Sequence, residues 1–409
     1  MKIAVIGGGA AGMMAAITAR EYGAEVTIYE HMPRLGKKIL LTGSGKCNIS
    51  NEDTDLIHYH STDENLTLVK NVFSHVSPQN MLDKLNELGL IYKSKRGYIY
   101  PYSEQASSVL DVLRFAVRDK DINVFTETDI KELVVKEGLK PAIRISDNST
   151  YSFDKIIIAT GSCAYKKTGS DGSGYELSRK IGHKIIKPIS ALTYLECEEN
   201  FFASVAGIRT AAKVTLEGKS ETGELQLTKT GISGINVFNL SYLAAKSLDK
   251  GKKVSAVIDF WPDIESDDLN SLLISRCRNN KSKTLEELFT GIFHKNLGLL
   301  IIKESGICRK QNDLIYELSK EEIGKISHKI KNFEVTVKGC GGFDNSQVIC
   351  GGVDTLQINE QLESKLNTGV FFAGEIIDVN GDCGGYNLTF AFASGMYAAM
   401  CAVGKNDKN

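Results

Sequence analysis

The chain has 409 residues, enough for two or three domains with a large buried core. Its residues are 42% apolar and 24% charged, which is typical of a soluble globular protein. The net charge of -1 provides no field that would attract nucleic acid or an anionic membrane, so we expect neither as a partner. Two uncharged stretches are slightly short for membrane spans and rich in small residues, so we expect buried helices at Ile3 to Ala19 and Asn387 to Val403.

The cysteine and histidine pattern bears on metals and on the cellular compartment. Nine cysteines are scattered through the chain without a C-x-x-C pair, which argues against a disulfide framework and against a zinc site. The seven histidines form no H-E-x-x-H or similar cluster. We therefore predict a protein of the reducing cytoplasm that holds no metal.

The first thirty residues form the most informative stretch. An apolar strand from Lys2 to Ile6 runs into Gly7-Gly8-Gly9-Ala10-Ala11-Gly12, which satisfies G-x-G-x-x-G. A helix from about Ala10 to Tyr22 and a second strand from Glu25 to Tyr29 follow. This β-α-β order predicts a Rossmann-type dinucleotide-binding unit.

Each glycine of this turn has its own mechanical role. Gly7 permits the tight turn, Gly9 lets the backbone approach a pyrophosphate, and Gly12 lets helix and strand pack closely. The start of the helix offers free N–H groups to the phosphates. Glu30 follows the second strand, eighteen positions after Gly12, where its carboxylate can accept hydrogen bonds from ribose hydroxyls. These features predict a dinucleotide site but do not separate FAD from NAD.

A basic, glycine-rich loop follows this acidic strand end, from Leu35 to Asn48. Gly43 and Gly45 flank small polar residues without apolar periodicity, so we interpret the loop as a wrapper for a diphosphate and its ring system rather than as an ordinary surface loop. Beyond it, spacing and composition predict three helices, a hairpin and four strands: helices Asn65–Phe73, Pro78–Leu88 and Glu104–Arg118, hairpin Tyr92–Tyr102, and strands Ile122–Phe125, Ile130–Val135, Ala142–Ile145 and Lys155–Ile158.

Two glycine-containing turns follow these strands. Ala159-Thr160-Gly161 ends the last strand, as expected in a doubly wound sheet. Gly169 to Gly174 does not follow a strand and has the wrong glycine spacing for a second nucleotide loop, so we interpret it as a turn before a helix at Tyr175–Ile181. The sequence therefore predicts one dinucleotide site.

From about Pro188 the chain changes to short strands with turns, followed by helices. We predict that residues 188–345 form an inserted domain with a small sheet or barrel and a helical part, between residues 1–187 and 346–409 of the dinucleotide-binding domain. The predicted elements are strands Ala191–Cys197, Ala211–Leu216, Leu225–Thr228, Val254–Phe260 and Glu334–Val337, helices Asn236–Leu248 and Lys320–Ile330, and helical pieces between Leu269 and Ile302.

The end of the chain carries a second informative stretch. Gly369 to Asp378 is predicted as a buried strand ending in glycine and acids, and Gly384-Gly385-Tyr386-Asn387 leads into a helix at Leu388–Ala402. Glu375 and Asp378 then lie at the carboxyl end of a strand, where open α/β sheets bind ligands. An ordinary βα unit does not explain these acids. The start of the helix would stabilise negative charge, including that on a reduced flavin.

Several of these stretches together resemble the FAD flavoproteins of the BaiN and aminoacetone oxidase group, related in fold to glutathione reductase and the fumarate reductase flavoproteins. The resemblance implies an α/β fold in which a Rossmann-type, glutathione-reductase-like FAD-binding domain carries an inserted β-barrel plus helices that cover the isoalloxazine. The matching pieces are Ile6 to Gly12, Gly36 to Asn48, Ala159 to Gly161, Gly223 to Leu225 with Gly231 to Gly234, and Ala373 to Asn387.

The chain departs from the family pattern at three places. Lys46 stands where family members commonly have Arg, Thr228-Lys229-Thr230 stands where a Thr-His pair is usual, and Ile235 replaces a frequent Pro. These residues lie in the loop and the insert. The departures therefore concern the substrate rather than flavin binding.

The resemblance also implies roles for single residues. Glu30 would hold the adenosine ribose, and the backbone of Ile130 would meet the adenine. Lys38 and Thr42 would lie along the flavin, and Asp378 would contact the ribitol or pyrophosphate. The backbone of two helix residues would face the flavin pyrimidine. The full set of predicted cofactor contacts is Gly7, Gly9, Ala11, Gly12, Glu30, Lys37, Lys38, Thr42, Ile130, Thr160, Gly161, Gly374, Glu375, Asp378, Asn387 and Leu388.

The family implies two activities, in both of which the flavin carries the hydride. We favour NADH- or NADPH-driven reduction of an activated C=C bond in a steroid-like, bile-acid enone, with the nicotinamide visiting transiently. The alternatives are oxidation of a small amine such as aminoacetone, and a flavin-binding regulator or RNA-modifying accessory. The candidate catalytic residues are Tyr386 and Tyr98 as acids and Cys47, with Cys383, as a redox pair, although buried thiols more often act as small hydrophobes.

Overall fold

A computed structural model describes residues 1–405, so the last four residues of the predicted segment 346–409 lie outside it. The chain divides into two units. The first comprises Met1–Ile189 and the chain from Phe343 onward, and the second comprises Ser190–Gly342. Among residues 1–405, no helix is both long enough and apolar enough to cross a membrane, and no disulfide links the nine cysteines.

The strands and helices alternate along the first unit, whereas strands dominate the start of the second. The strands are β1 Lys2–Ile6, β2 Glu25–Tyr29, β3 Ser50–Asn51, β4 Tyr59–His60, β5 Tyr92–Lys95, β6 Tyr98–Pro101, β7 Asn123–Phe125, β8 Ile130–Val134, β9 Ala142–Ile145, β10 Thr150–Ser152, β11 Lys155–Ile158, β12 Ile185–Ala191, β13 Leu195–Cys197, β14 Arg209–Leu216, β15 Lys219–Leu227, β16 Gly231–Ser233, β17 Val254–Asp259, β18 Phe333–Cys340, β19 Val348–Val353, β20 Val370–Phe372 and β21 Asn380–Gly381. The α-helices are α1 Ala10–Glu21, α2 Thr67–His75, α3 Pro78–Glu87, α4 Ala106–Asp119, α5 Ser173–Lys180, α6 Phe202–Val205, α7 Ile235–Asp249, α8 Ser266–Asn279, α9 Lys295–Glu304, α10 Lys320–Lys331 and α11 Tyr386–Ala402.

A five-stranded parallel sheet in the order β20-β11-β1-β2-β7 forms the centre of the first unit. Strands β1 and β11 are apolar after their first residue, because a parallel sheet is covered on both faces. Ala4, Val5 and Ile157, for example, are fully buried. The sheet confirms the predicted Rossmann-type fold and places the glycine-rich turn at the carboxyl end of its central strand, β1.

The uncharged stretch Ile3 to Ala19 is helical only in part, because it contains β1 and the glycine-rich turn as well as most of α1. The second stretch forms most of α11, and the two helices are buried and pack on each other. The helices approach closely because Gly395 has no side chain: a Cβ there would lie 2.4 Å from the carbonyl oxygen of Ala11. A Cβ on Gly374 would likewise lie 2.7 Å from the Cβ of Ala11. The small residues in these stretches therefore serve close packing.

In the second unit, six strands close into a barrel in the order β13-β16-β15-β14-β17-β18. Its interior is filled by buried apolar side chains such as Val214, Leu225 and Ile258. Apolar residues of α8, α9 and α10 belong to the same cluster. The barrel with helices confirms that part of the predicted fold class.

Two predicted strands run across a turn of the chain. The strand predicted over Gly369–Asp378 is confined to β20, because the chain turns at Gly374, whose φ is +75°. The strand predicted over Ala191–Cys197 is two strands, β12 and β13, separated where Leu192 has a φ of +49°. Left-handed backbone ended both strands, and an apolar sequence pattern does not report it.

Candidate functional site

A cavity with an empty volume of about 1390 Å³, part of it open to solvent, lies in the first unit. It is bordered by the turn after β1, the end of β2, the loop around residues 34–42, the turn after β11 and the start of α11. The elements that border the cavity are those that surround the dinucleotide site of a Rossmann-type fold.

The glycine-rich turn has the geometry that phosphate binding requires. Gly7 has a φ of +99°, and a Cβ there would lie 2.5 Å from the carbonyl oxygen of Ala159. A Cβ on Gly12 would lie 1.9 Å from the carbonyl oxygen of Gly7. A Cβ on Gly9, in contrast, would meet nothing within 4 Å among the described residues, and Gly9 lines the cavity. Gly7 and Gly12 thus serve packing, whereas Gly9 leaves the approach to the start of α1 open to a phosphate.

The carboxylate of Glu30 is held in place at the end of β2. The residue is 9% exposed, and its two oxygens accept hydrogen bonds from the backbone N–H groups of Gly8 and Met32, both at 2.8 Å. Each carboxylate oxygen keeps acceptor capacity for a ribose hydroxyl. Asp129 and Asp171 lie nearby, 3.8 and 3.9 Å from the ring of His31. This acidic end of the cavity would repel a 2′-phosphate.

Two residues of the cavity wall each have a buried side-chain oxygen with no hydrogen-bond partner within residues 1–405. These oxygens are Glu375 Oε1 and Asn380 Oδ1. The other oxygen of Glu375 accepts a hydrogen bond from Lys38 Nζ at 2.6 Å, which fixes the carboxylate. A buried polar atom without a partner costs about 1–3 kcal/mol. The wall therefore fits a ligand that supplies hydroxyl donors, as the ribose and ribitol of FAD do.

The start of α11 forms another side of the cavity. Gly385 precedes the helix with a φ of +96°, and Asn387 and Leu388 of the first turn line the cavity. The Asn387 side chain accepts a hydrogen bond from the Gly381 N–H at 2.8 Å and donates one to its carbonyl oxygen at 2.7 Å. The side chain is therefore engaged, and the helix presents first-turn N–H groups and a partial positive charge to a ligand.

The structure brings most of the predicted cofactor residues together around this cavity: Gly7, Gly9, Ala11, Glu30, Lys37, Lys38, Thr42, Ile130, Thr160, Gly161, Glu375, Asn387 and Leu388. Gly12, Gly374 and Asp378 do not line it. The two glycines act through close packing. Asp378 is fully buried, and its Oδ2 accepts hydrogen bonds from the backbone N–H and the hydroxyl of Thr62. Its Oδ1 is buried and has no hydrogen-bond partner within residues 1–405, and its contact with ribitol or pyrophosphate stays a prediction.

The three candidate catalytic residues do not line the cavity either. Cys47 is fully buried, and burial raises the pKa of its thiol to about 11. Burial also raises the pKa of the Cys383 thiol to about 11. Tyr386 is buried, with its pKa raised by that burial, and Tyr98 lies on β6. Both thiols are protonated at neutral pH, which disfavours a redox pair.

The loop before α5 was missed as part of the site. Thr168, Gly169, Ser170 and Ser173 line the cavity. The loop reaches it because Gly169, with a φ of +101°, packs so tightly that a Cβ would lie 2.8 Å from the His31 ring. The glycines of this loop predicted a turn before a helix. Their spacing did not indicate that the turn contacts the first nucleotide site.

Comparison with known proteins agrees with this geometry. Residues 1–401 match the family described as HI0933-like protein Rossmann domain. The chain is 39% identical to the 3-dehydro-bile acid delta(4,6)-reductase of Clostridium scindens, covering 98% of this chain and 99% of the relative. It is 28% identical to the ribosomal RNA dihydrouridine synthase of Haemophilus influenzae, covering 98% and 97%.

Among solved structures, the 3-ketosteroid delta1-dehydrogenase from Sterolibacterium denitrificans matches with a TM-score of 0.51 at 12% identity, covering 98% of this chain and 99% of that one. This likeness shows a shared fold. The family match over nearly the whole chain confirms the resemblance seen in the motifs. The chain belongs to the HI0933-like Rossmann-domain family and is an FAD-dependent oxidoreductase.

Proposed function

We propose that the protein reduces an activated C=C bond in a steroid-like enone of the bile-acid type, with NADH or NADPH as the transient electron donor. The observation that carries the proposal is the 39% identity to the Clostridium scindens reductase over nearly the full length of both chains. In the balanced reaction the nicotinamide gives a hydride and the solvent gives a proton. The enone becomes a saturated ketone, and the nicotinamide is oxidised.

FAD supplies the hydride-carrying ring when bound, and the chain supplies binding, orientation and electrostatics. Glu30 would hold the adenosine ribose, while Gly9 and the start of α1 would receive the diphosphate. The buried oxygens of Glu375 and Asn380 would accept hydrogen bonds from ligand hydroxyls. The Lys38–Glu375 ion pair would keep one of these oxygens in place.

The first turn of α11 supports a redox role. Backbone N–H groups at a helix start stabilise negative charge without reorganising. The backbone of Asn387 and Leu388 would present the partial positive charge of the helix start to the pyrimidine side of the flavin ring. The unit Ser190–Gly342 is the proposed substrate domain, and a small molecule is its proposed partner. A cytoplasmic location stays a prediction.

An anaerobic visible spectrum tests the proposal. Purified protein that is yellow, bleaches with NADH or NADPH, and regains its colour on addition of a steroid-like enone supports enone reduction. A yellow protein that no nicotinamide reduces but aminoacetone bleaches contradicts it and favours amine oxidation. Failure to bind added FAD contradicts the cofactor as well.

A second candidate is reduction of uracil in ribosomal RNA. It rests on the 28% identity to the Haemophilus influenzae dihydrouridine synthase over nearly the whole chain. The chemistry is closely related, because the reduced bond of uracil is also a C=C bond conjugated to a carbonyl. The net charge of -1 favours a small molecule over RNA. Reoxidation of the reduced protein by ribosomal RNA, and by no enone, would reverse this preference.

A further inference from the structure

A group of ionisable side chains outside the cavity ties its wall to a neighbouring segment. We call residues 378–382 the wall segment, because Val379, Asn380 and Gly381 line the cavity. Residues 58–62 run alongside it and form the clamp segment. The two segments pair as antiparallel strands, β4 and β21, with His60 opposite Asn380.

Side chains reinforce this short pairing at both ends. At one end, Asp378 accepts hydrogen bonds from the backbone and hydroxyl of Thr62. At the other end, the carboxylate of Asp382 bridges two imidazoles: His60 Nε2 lies 2.7 Å from Oδ1, and His58 Nδ1 lies 3.1 Å from Oδ2. The Asp382 side chain is only 14% exposed, so these contacts are largely shielded from water.

The clamp segment also holds the start of α11. The hydroxyl of Tyr59 donates a buried hydrogen bond to the carbonyl oxygen of Tyr386 at 3.1 Å. The ring of His58 stacks on the ring of Tyr386, with centroids 4.4 Å apart and planes 19° apart. The clamp therefore contacts both the wall segment and the helix whose first turn faces the cavity.

The geometry around His58 requires a proton. Its Nδ1 faces Asp382 at 3.1 Å, and its Nε2 faces Asp53 at 3.0 Å. Ionised carboxylates only accept hydrogen bonds, so both ring nitrogens can donate only when the imidazole is charged. Partial burial lowers the pKa of His58, but the hydrogen bonds and charges of Asp53 and Asp382 together outweigh it and raise the pKa above its ordinary value.

The other charged and titratable groups around His58 do not replace this pairing. His60 shares Asp382. Tyr386 on α11 is neutral, since burial, Asp53, Asp55, Asp382 and Tyr98 raise its pKa. The positive end of the α11 dipole opposes the charge on His58, whereas the two paired carboxylates favour it.

We propose that protonated His58 and the carboxylate of Asp382 position the cavity wall, so that retention of the dinucleotide depends on pH. The inference rests on the proposed assignment of FAD to this cavity. Because the folded pKa of His58 lies above its ordinary value of 6.5, the charged clamp is complete below that value. It loses one hydrogen bond as the pH rises through the folded pKa. FAD therefore binds more weakly on the alkaline side.

The test measures the Kd for FAD between pH 6 and about 8.5, by titrating protein stripped of flavin and following flavin fluorescence. His58→Phe keeps a ring against Tyr386 but removes both donors, and Asp382→Asn keeps the volume but removes the charge. The matched control is His75→Gln. His75 stacks on Tyr397 of the same helix, with centroids 4.6 Å apart, but lies outside the clamp.

We expect the wild type and His75→Gln to lose about tenfold in affinity over this range, the scale of one charge-assisted hydrogen bond. His58→Phe should bind weakly without this pH dependence, and Asp382→Asn should bind weakly throughout. A purely structural role would lower the Tm of the flavin-free variants but leave the slope of Kd against pH unchanged. If Asp382→Asn does not fold, His58→Phe decides the outcome.

Two results overturn the proposal, and they are distinguishable. Wild-type pH dependence retained in His58→Phe, or absent from a wild type that binds FAD, overturns the clamp but leaves the cofactor assignment intact. A wild type that binds no FAD at any pH overturns both.

Discussion

The carboxylate of Glu30 allows a direct test of how the cavity holds its ligand. Both oxygens accept backbone hydrogen bonds at 2.8 Å, from Gly8 and Met32, and both keep capacity for a ribose hydroxyl. In Glu30→Gln, one oxygen becomes an amide nitrogen that can only donate and that faces a backbone N–H. A hydrogen bond to a charged group contributes about 1.5–3 kcal/mol, so losing one from the ribose raises the Kd for FAD about 10- to 150-fold.

The measurement is a titration of flavin-free protein with FAD, followed by fluorescence, together with the Tm of each flavin-free variant. Glu132→Gln is the matched control, because Glu132 pairs with Arg144 and does not line the cavity. An unchanged Kd for Glu30→Gln would refute the ribose assignment. If the Kd of Glu30→Gln rises only in proportion to a fall in its Tm, the cause is instead the loss of the hydrogen bonds from Gly8 and Met32 that hold this side chain.

Three further predictions address the turn, the thiols and the helical part of the second unit. Gly12→Ala should lower the Tm, because overpacking costs about 1–3 kcal/mol. Gly9→Ala should keep the Tm of the flavin-free protein but raise the Kd for FAD at least about tenfold. Equal effects of the two variants on Tm and Kd would contradict these distinct roles. Cys47→Ala and Cys383→Ala should turn over like the wild type, since burial raises the pKa of both thiols to about 11, and lost turnover with retained FAD would show thiol chemistry. The hydrogen bond from Arg309 lowers the pKa of Glu322 to about 2. The contribution of this ion pair to the stability of the fold is therefore complete above the ordinary pKa of 4.5 and is lost as the pH falls through about 2. In urea unfolding, Glu322→Gln should therefore lose about 1 kcal/mol or less at neutral pH and approach the wild type near pH 2, and a difference that does not change with pH would be inconsistent with this pairing.

Features that are contiguous in sequence were predictable, and contacts between distant segments were not. The strand, turn and helix around Gly7 form one local unit, so spacing alone placed the phosphate site. One carboxylate oxygen of Asp378 accepts a hydrogen bond from Thr62, 316 residues away in sequence, and no local pattern reports that contact. The loop that carries Ser170 reaches the cavity through packing against His31, which no local pattern reports.

The structure also bears on the choice between FAD and NAD that the first motif left open. The starts of α1 and α11 both border the cavity, and each presents partial positive charge. A diphosphate needs only one of them. The second is unfavourable for an oxidised nicotinamide, which is cationic, and favourable for a reduced flavin, which carries negative charge. The start of α11, with Asn387 engaged at Gly381 and first-turn N–H groups available, therefore favours a flavin as the resident ring.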